Sequence, residues 1–209
     1  MTPVKIILVD DHNLVNEGIS RIINADKNYN VIAQLTNGME AIDFVKRNEV
    51  NIVIMDINMP GMDGIAATKE IKKLQPGVKI IGLSMFGDYG TIQKMLESGA
   101  DGYLLKNTSG DELFTALTQV MNGKTYLNTE LQQLVLKGIR DQKNIPHLTK
   151  KEKEVLNFIA GGFTNKEIAT KLKLGEETIK SHRKNIMNKF DIHNTAELVR
   201  FAIDHQLIS

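Results

Sequence analysis

The chain has 209 residues, 42% apolar and 24% charged, the proportions of an ordinary globular protein whose length suits two small domains. It holds no cysteine, which excludes disulfides and thiolate metal sites, and no apolar run nears the roughly 20 residues of a membrane helix. The net charge of +1 hides a division: residues 1–125 carry 12 basic and 15 acidic side chains, a net of −3, and residues 126–209 carry 14 and 10, a net of +4, so two halves with two tasks are expected.

MTPVK leads straight into an apolar run with no leader pattern, and the expected location is the cytoplasm. Five short strand-like runs follow: VKIILV (4–9), VIAQL (31–35), NIVIM (51–55), VKIIGLS (78–84) and GYLLK (102–106). Amphipathic stretches separate them, among them Ile65 to Leu74 and Asp111 to Met121, each opened by a glycine-containing turn. Apolar strands alternating with helical crossovers predict an α/β fold, a (βα)5 doubly wound parallel sheet. Ligands of such sheets gather beyond the carboxyl ends of the strands.

That edge collects chemistry. Asp10 and Asp11 follow the first strand, Asp56 ends the third and is followed by Asn58, Ser84 ends the fourth, and Lys106 ends the fifth. Three carboxylates in a partly dry site need a cation among them, and an oxygen-only donor set with open positions points to Mg2+. A lysine and a hydroxyl beside them suit a tetrahedral phosphoryl group. The chemistry that fits is phosphoryl transfer to a carboxylate, with Asp56 as acceptor and Asp10 and Asp11 holding the metal. Taken alone, the paired aspartates could instead be a helix cap, with Asp11 or Asn13 in that role. The glycines at 61, 64, 99 and 102 read as turn formers.

The motifs DD (10–11), MDINMPGMDG (55–64), LS (83–84) and GADGYLLK (99–106) closely resemble the receiver domain of two-component response regulators. The resemblance implies that Asp56 takes phosphate from a sensor histidine kinase. It implies that Asp11 and Asp56 bind Mg2+ with the backbone carbonyl of Asn58 while Asp10 supports the metal through water. Ser84 and Tyr103 would form the switch pair, and Lys106 would grip a phosphoryl oxygen. Two positions depart from the common pattern: Asn107 stands where many receivers have proline, so no cis-proline bond is expected, and Phe86 is bulky where many are polar. The receiver is expected over 1–122.

Residues 123–147 change character, and one apolar pattern, Leu131, Leu134, Val135 and Ile139, predicts a linker carrying a short helix. Residues 148–209 read as an all-α, four-helix domain. Thr149 and Glu152 make a capping box, Gly161 and Gly162 stop the first helix, Gly175 breaks the second, and Asn194 or Thr195 opens the fourth. Two short helices joined by a glycine-containing turn suggest a helix-turn-helix.

On the third helix, Ile179, Ile186 and Phe190 share one face with His182 at its margin, while Glu177, Lys180, Ser181, Lys184 and Asn188 lie opposite. Such a face can enter a major groove of double-stranded DNA, with Lys180, Ser181 and Lys184 near base edges. For His182, packing or a phosphate contact is favoured over metal ligation, and Arg183 beside the apolar stripe could pack its stem or meet phosphate. LTKKEKEVLNFIAGGFTNKEIATKLKLGEETIKSHRKNIMNKF resembles the LuxR-type DNA-binding domain, which implies Thr178 as a phosphate contact. A receiver joined to this domain is similar to the NarL/FixJ class: a Mg2+-dependent, phosphorylation-switched transcription regulator, expected to be a homodimer when phosphorylated and not a turnover enzyme. A phosphohydrolase would commonly want a second acid where Asn58 stands, and a protein-docking adaptor would show no salt-dependent duplex binding.

Overall fold

The computed structural model describes residues 2–143, 146–205 and 207–208; residues 144 and 145 of the expected linker, and 206 and 209 of the expected last domain, lie outside them, as does Met1. The first unit, Met1–Leu136, is built in the order β1 (Val4–Val9), α1 (Asn13–Asn24), β2 (Tyr29–Leu35), α2 (Gly38–Arg47), β3 (Ile52–Asp56), α3 (Gly64–Leu74), β4 (Lys79–Ser84), α4 (Tyr89–Glu97), β5 (Gly102–Leu105) and α5 (Gly110–Met121). All strand pairs are parallel, in the order β2-β1-β3-β4-β5. From β1 the chain crosses to β2 on one side, and from β2 it returns past β1 to β3 on the other. The loops after β1 and β3 therefore diverge and leave a crevice between Asp10 and Asp56.

Period-two alternation supplies both faces of the sheet. Ile7, Val9, Val53, Met55 and Ile80 face α2, α3 and α4, where Ile42, Val45, Ile71, Ile92 and Met95 close one core. Ile6, Leu8, Ile54, Ile81 and Leu83 face the other way and meet Ile23 of α1 and Leu113, Leu117 and Val120 of α5. Every residue of β3 is buried, which explains its unbroken apolar run up to a terminal carboxylate.

The first unit runs past residue 122. Tyr126 bridges to Gly102 in parallel, accepting from Tyr103 N–H (3.0 Å) and donating to Asp101 O (2.9 Å). The next helix, α6 (Thr129–Lys143), is longer than a short linker helix: Leu131 is buried in the core, and Leu134 and Val135 pack against it at helical spacing. Ile139 is exposed, so the apolar pattern seen in the sequence divides between two surfaces.

The second unit, Lys137–Ser209, contains α7 (Lys150–Ala160), α8 (Asn165–Leu172), α9 (Glu176–Phe190) and α10 (Thr195–Asp204) around Val155, Leu156, Ile168, Ile179, Ile186 and Leu198. Thr149 and Glu152 form the expected capping box, and Asn194 caps α10. Thr164 and Glu167 make a second box at α8, readable in TNKE. Gly175 does not break α8. The helix ends on Lys173, whose φ of 54° is left-handed, and Gly175 is the N-cap of α9.

Two glycines act by close approach and not as turn formers. A Cβ at Gly64 would lie 2.0 Å from the carbonyl oxygen of Asp56, and one at Gly102 would lie 3.2 Å from that of Tyr126. Gly64→Ala is therefore expected to cost about 1–3 kcal/mol or more in urea unfolding, whereas Gly77→Ala, with nothing within 4 Å, should stay within about 0.5 kcal/mol.

Candidate functional site

The ends of β1, β3, β4 and β5 deliver Asp10, Asp56, Ser84 and Lys106 to one edge, with Asp10, Asp56 and Ser84 buried. The Lys106 ammonium lies 2.6 Å from Asp10 Oδ2 and 3.0 Å from Asp56 Oδ2, its side chain only 7% exposed. Asp11 reaches outward, 28% exposed. One donor atom each from Asp10, Asp11, His12 and Asp56 fall within 4.8 Å of one another. Asn58 is exposed, and its N–H donates to Asp56 Oδ1 at 3.3 Å.

Neither Asp11 nor Asn13 caps α1. The N-cap is His12, with no side-chain cap bond, and Asp10 Oδ1 accepts the His12 N–H at 2.8 Å. The aspartate pair is thereby left to the pocket. The sequence pattern had suggested oxygen donors alone, but His12 Nδ1 sits 3.1 Å from Asp10 Oδ1 and 3.0 Å from Asp11 Oδ1. The only signal for it was adjacency in the DDH tripeptide.

Charge balance tests the fit for a cation. Three carboxylates face one ammonium, leaving about two negative charges, the deficit a divalent ion offsets. Asp10 Oδ2 is sealed from solvent and makes no well-directed hydrogen bond, although Lys106 approaches it closely. The 2.6 Å contact is electrostatic, which leaves a lone pair without a directed partner. The oxygen-rich set with an exposed flank suits Mg2+.

Burial pushes the Asp56 carboxyl above its usual range, and the neighbouring Asp10 charge adds to this, against the opposing pull of Lys106. Burial alone would lower the Lys106 ammonium, but the Asp10 and Asp56 carboxylates beside it outweigh this and hold the group above the ordinary lysine value.

Ser84 Oγ accepts the Phe86 N–H at 3.3 Å. Tyr103 is fully enclosed, and its hydroxyl donates to Phe86 O at 2.9 Å. Burial raises its phenol pKa.

In the second unit α9 turns Ile179 and Ile186 inward, with Phe190 partly buried, and leaves Thr178, Lys180, Ser181, Lys184 and Asn188 exposed; His182 and Arg183 are intermediate. Lys180 pairs with Glu177 at 2.6 Å. The Arg183 guanidinium donates to Asn165 Oδ1 (3.1 Å) and to Thr195 Oγ1, tying α9 to the starts of α8 and α10. Lys189 bonds Glu152 at 2.8 Å, a second tie from α9, to α7.

The receiver-domain family of response regulators matches residues 6–118, and the luxR family of bacterial regulatory proteins matches residues 146–202. The chain belongs to the response regulators. It is one with a receiver domain and a LuxR-type DNA-binding domain. The oxygen regulatory protein NreC of Staphylococcus epidermidis is 34% identical to it over 98% of this chain and 99% of that protein. A nitrate/nitrite response regulator homolog of Haemophilus influenzae is 32% identical over 91% and 92%. A solved structure of the Salmonella typhimurium RcsB response regulator superposes with a TM-score of 0.77 at 29% identity, covering 95% of this chain and 98% of that one. A structure of RcsB with DNA gives 0.70 at 29% identity, covering 97% and 98%. Among the described residues of this regulator, no helix is long and apolar enough to cross a membrane.

One residue at the receiver pocket left no trace in its sequence. Asn16 of α1 is buried, and its Nδ2 donates to Asp10 O (2.8 Å) and Leu35 O (3.3 Å), while Asp10 N–H donates to the same Leu35 O (3.0 Å). A single side-chain amide thus fixes the backbone on both sides of Asp10.

The raised Asp56 pKa has a thermodynamic sign. The folded state keeps its proton to higher pH than the unfolded chain, whose value is near 3.8, so wild type loses stability as pH rises from there through the folded value. In metal-free protein the stability of Asp56→Asn relative to wild type should therefore grow across that window and then level off. Urea midpoints against pH check this; a gap that narrows with rising pH would contradict it.

Proposed function

We propose that this regulator is a phosphorylation-switched transcription factor, in which a sensor histidine kinase modifies Asp56 and the modified receiver governs promoter binding by α9. The observation that carries the reading is the Lys106 ammonium lodged between two buried carboxylates, in a pocket whose surplus negative charge matches one divalent cation. Bound there by Asp10, Asp11, Asp56 and the backbone carbonyl of Asn58, with Asp10 acting through water, Mg2+ would supply positive charge shared by the acceptor and the incoming phosphoryl oxygens.

The chain's own residues do the rest. An Asp56 carboxylate oxygen forms the new P–O bond as the P–N bond of a phosphohistidine breaks, and the electron pair of that bond stays on the leaving imidazole nitrogen. Lys106 transfers one contact from Asp56 to a phosphoryl oxygen and keeps Asp10. The Ser84 side chain rotates to donate to another phosphoryl oxygen, which carries its Oγ off the Phe86 N–H; the Phe86 backbone, which also holds the Tyr103 hydroxyl, shifts with it and Tyr103 reorients.

In the DNA-binding half, Thr178 meets phosphate and Lys180, Ser181, Lys184 and Asn188 present the groove-facing surface, with His182 at its margin. Lys180 must leave Glu177, and because the pair is exposed and screened by water the exchange is inexpensive. Arg183 contributes by holding α9 at its angle to α8 and α10. The phosphorylated form is a homodimer reading two half-sites, and the protein works in the cytoplasm as a regulator without substrate turnover.

Asp56→Asn should abolish phosphoryl uptake in Phos-tag electrophoresis while leaving the circular dichroism spectrum unchanged; uptake at the wild-type level would refute the acceptor. Lys184→Ala should weaken promoter binding and lower the slope of log K against log salt by about one. An unaltered affinity across the salt series would remove that face from the interface.

A further inference from the structure

The short loop after β4 has two sides. Toward the pocket, Phe86 N–H is held by Ser84 Oγ and Phe86 O by the Tyr103 hydroxyl. Away from it, Gly87 lies directly against α6: a Cβ there would stand 2.7 Å from Leu131 Cδ2 and 3.6 Å from Leu105 Cδ2. Gly87 is not held at positive φ, and a methyl there would meet Leu131 Cδ2, which would have to shift. Met85 and Phe86 carry exposed side chains and so give the loop little anchorage of their own.

Leu131 is firmly placed. It is buried in the same core as Tyr103, Ile92 and Met95, with Leu127, Leu134 and Val135 packed around that core. Its N–H donates to Asn128 Oδ1 at 2.9 Å, and the strand-like pairing of Tyr126 with β5 fixes the chain just before it. From this seat α6 continues past Leu136 and carries the chain onward. The loop that holds the switch hydroxyl and the first turn of the outgoing helix therefore share one contact, made by a residue with no side chain and a buried leucine.

We propose that Gly87 and Leu131 form the joint through which phosphorylation reaches α6. The inference rests on the reading of Asp56 as phospho-acceptor. When Ser84 turns its hydroxyl to a phosphoryl oxygen, the Phe86 peptide loses one of its two holds, Gly87 withdraws with it, and Leu131 loses the wall of its seat. Packed interfaces of this kind have discrete arrangements, so the first two turns of α6 loosen or reseat as a unit.

The test uses the full chain, phosphorylated with acetyl phosphate and Mg2+, with hydrogen exchange followed over residues 126–136. In wild type, phosphorylation should speed exchange there by about tenfold. Gly87→Ala should do so without any phosphoryl donor while still taking up phosphate. In a Leu131→Ala background, where the methyl has room, adding Gly87→Ala should change exchange no further, the mark of a shared contact. Complete phosphorylation of wild type with unaltered exchange in this segment overturns the joint, as does a methyl at 87 acting equally with and without Leu131. Absence of any phosphoryl uptake by wild type instead removes the acceptor reading beneath it.

Discussion

A single ammonium group between two carboxylates organises the first half of this protein. Lys106 can stay charged in a buried site because Asp10 and Asp56 flank it, and the two acids can be close because Lys106 lies between them. Two carboxylates within 4.8 Å repel by about 3–4 kcal/mol at an effective dielectric of 20, while each contact with the lysine is shorter and attractive. One ammonium leaves one negative charge over against two acids, and two against three. That residual deficit, more than any single residue, is what suits the pocket to a divalent ion and a phosphoryl group.

The fold serves the pocket by fixing backbone more than side chains. Gly64 lets α3 start against the carbonyl of Asp56, and Asn16 ties the carbonyls of Asp10 and Leu35 together, so both carboxylates leave well-anchored strand ends. The other side of the site is held more lightly. The loop after Ser84 relies on the bonds at Phe86 and on Leu131 beneath Gly87. A rigid acid edge beside a lightly held hydroxyl edge suits a switch, since charge added at Asp56 moves the weaker side.

The strands were legible because runs such as VKIILV and NIVIM are too apolar to face water on either side, and the acidic edge was legible because each run ended in a polar residue. The helix-turn-helix followed from the inward spacing of Ile179 and Ile186. What remained hidden depended on tertiary contact. The hydrogen bonds from the Arg183 guanidinium to Asn165 and Thr195 have no local sequence signal, since both partners lie more than ten residues away. Leu131, Leu134 and Val135 read as a linker helix because nothing local shows that a receiver core awaits them. Lys173 in a left-handed conformation beside an available Gly175 runs against residue preference, and only the path of the chain between α8 and α9 determines it.

Calorimetric titration of the full chain with Mg2+ tests the central claim most directly, because it reads the charge deficit of the pocket itself. One ion should bind per chain, and Asp10→Asn should lose that binding. No heat of binding in wild type, or an isotherm that Asp10→Asn leaves unchanged, would contradict the account.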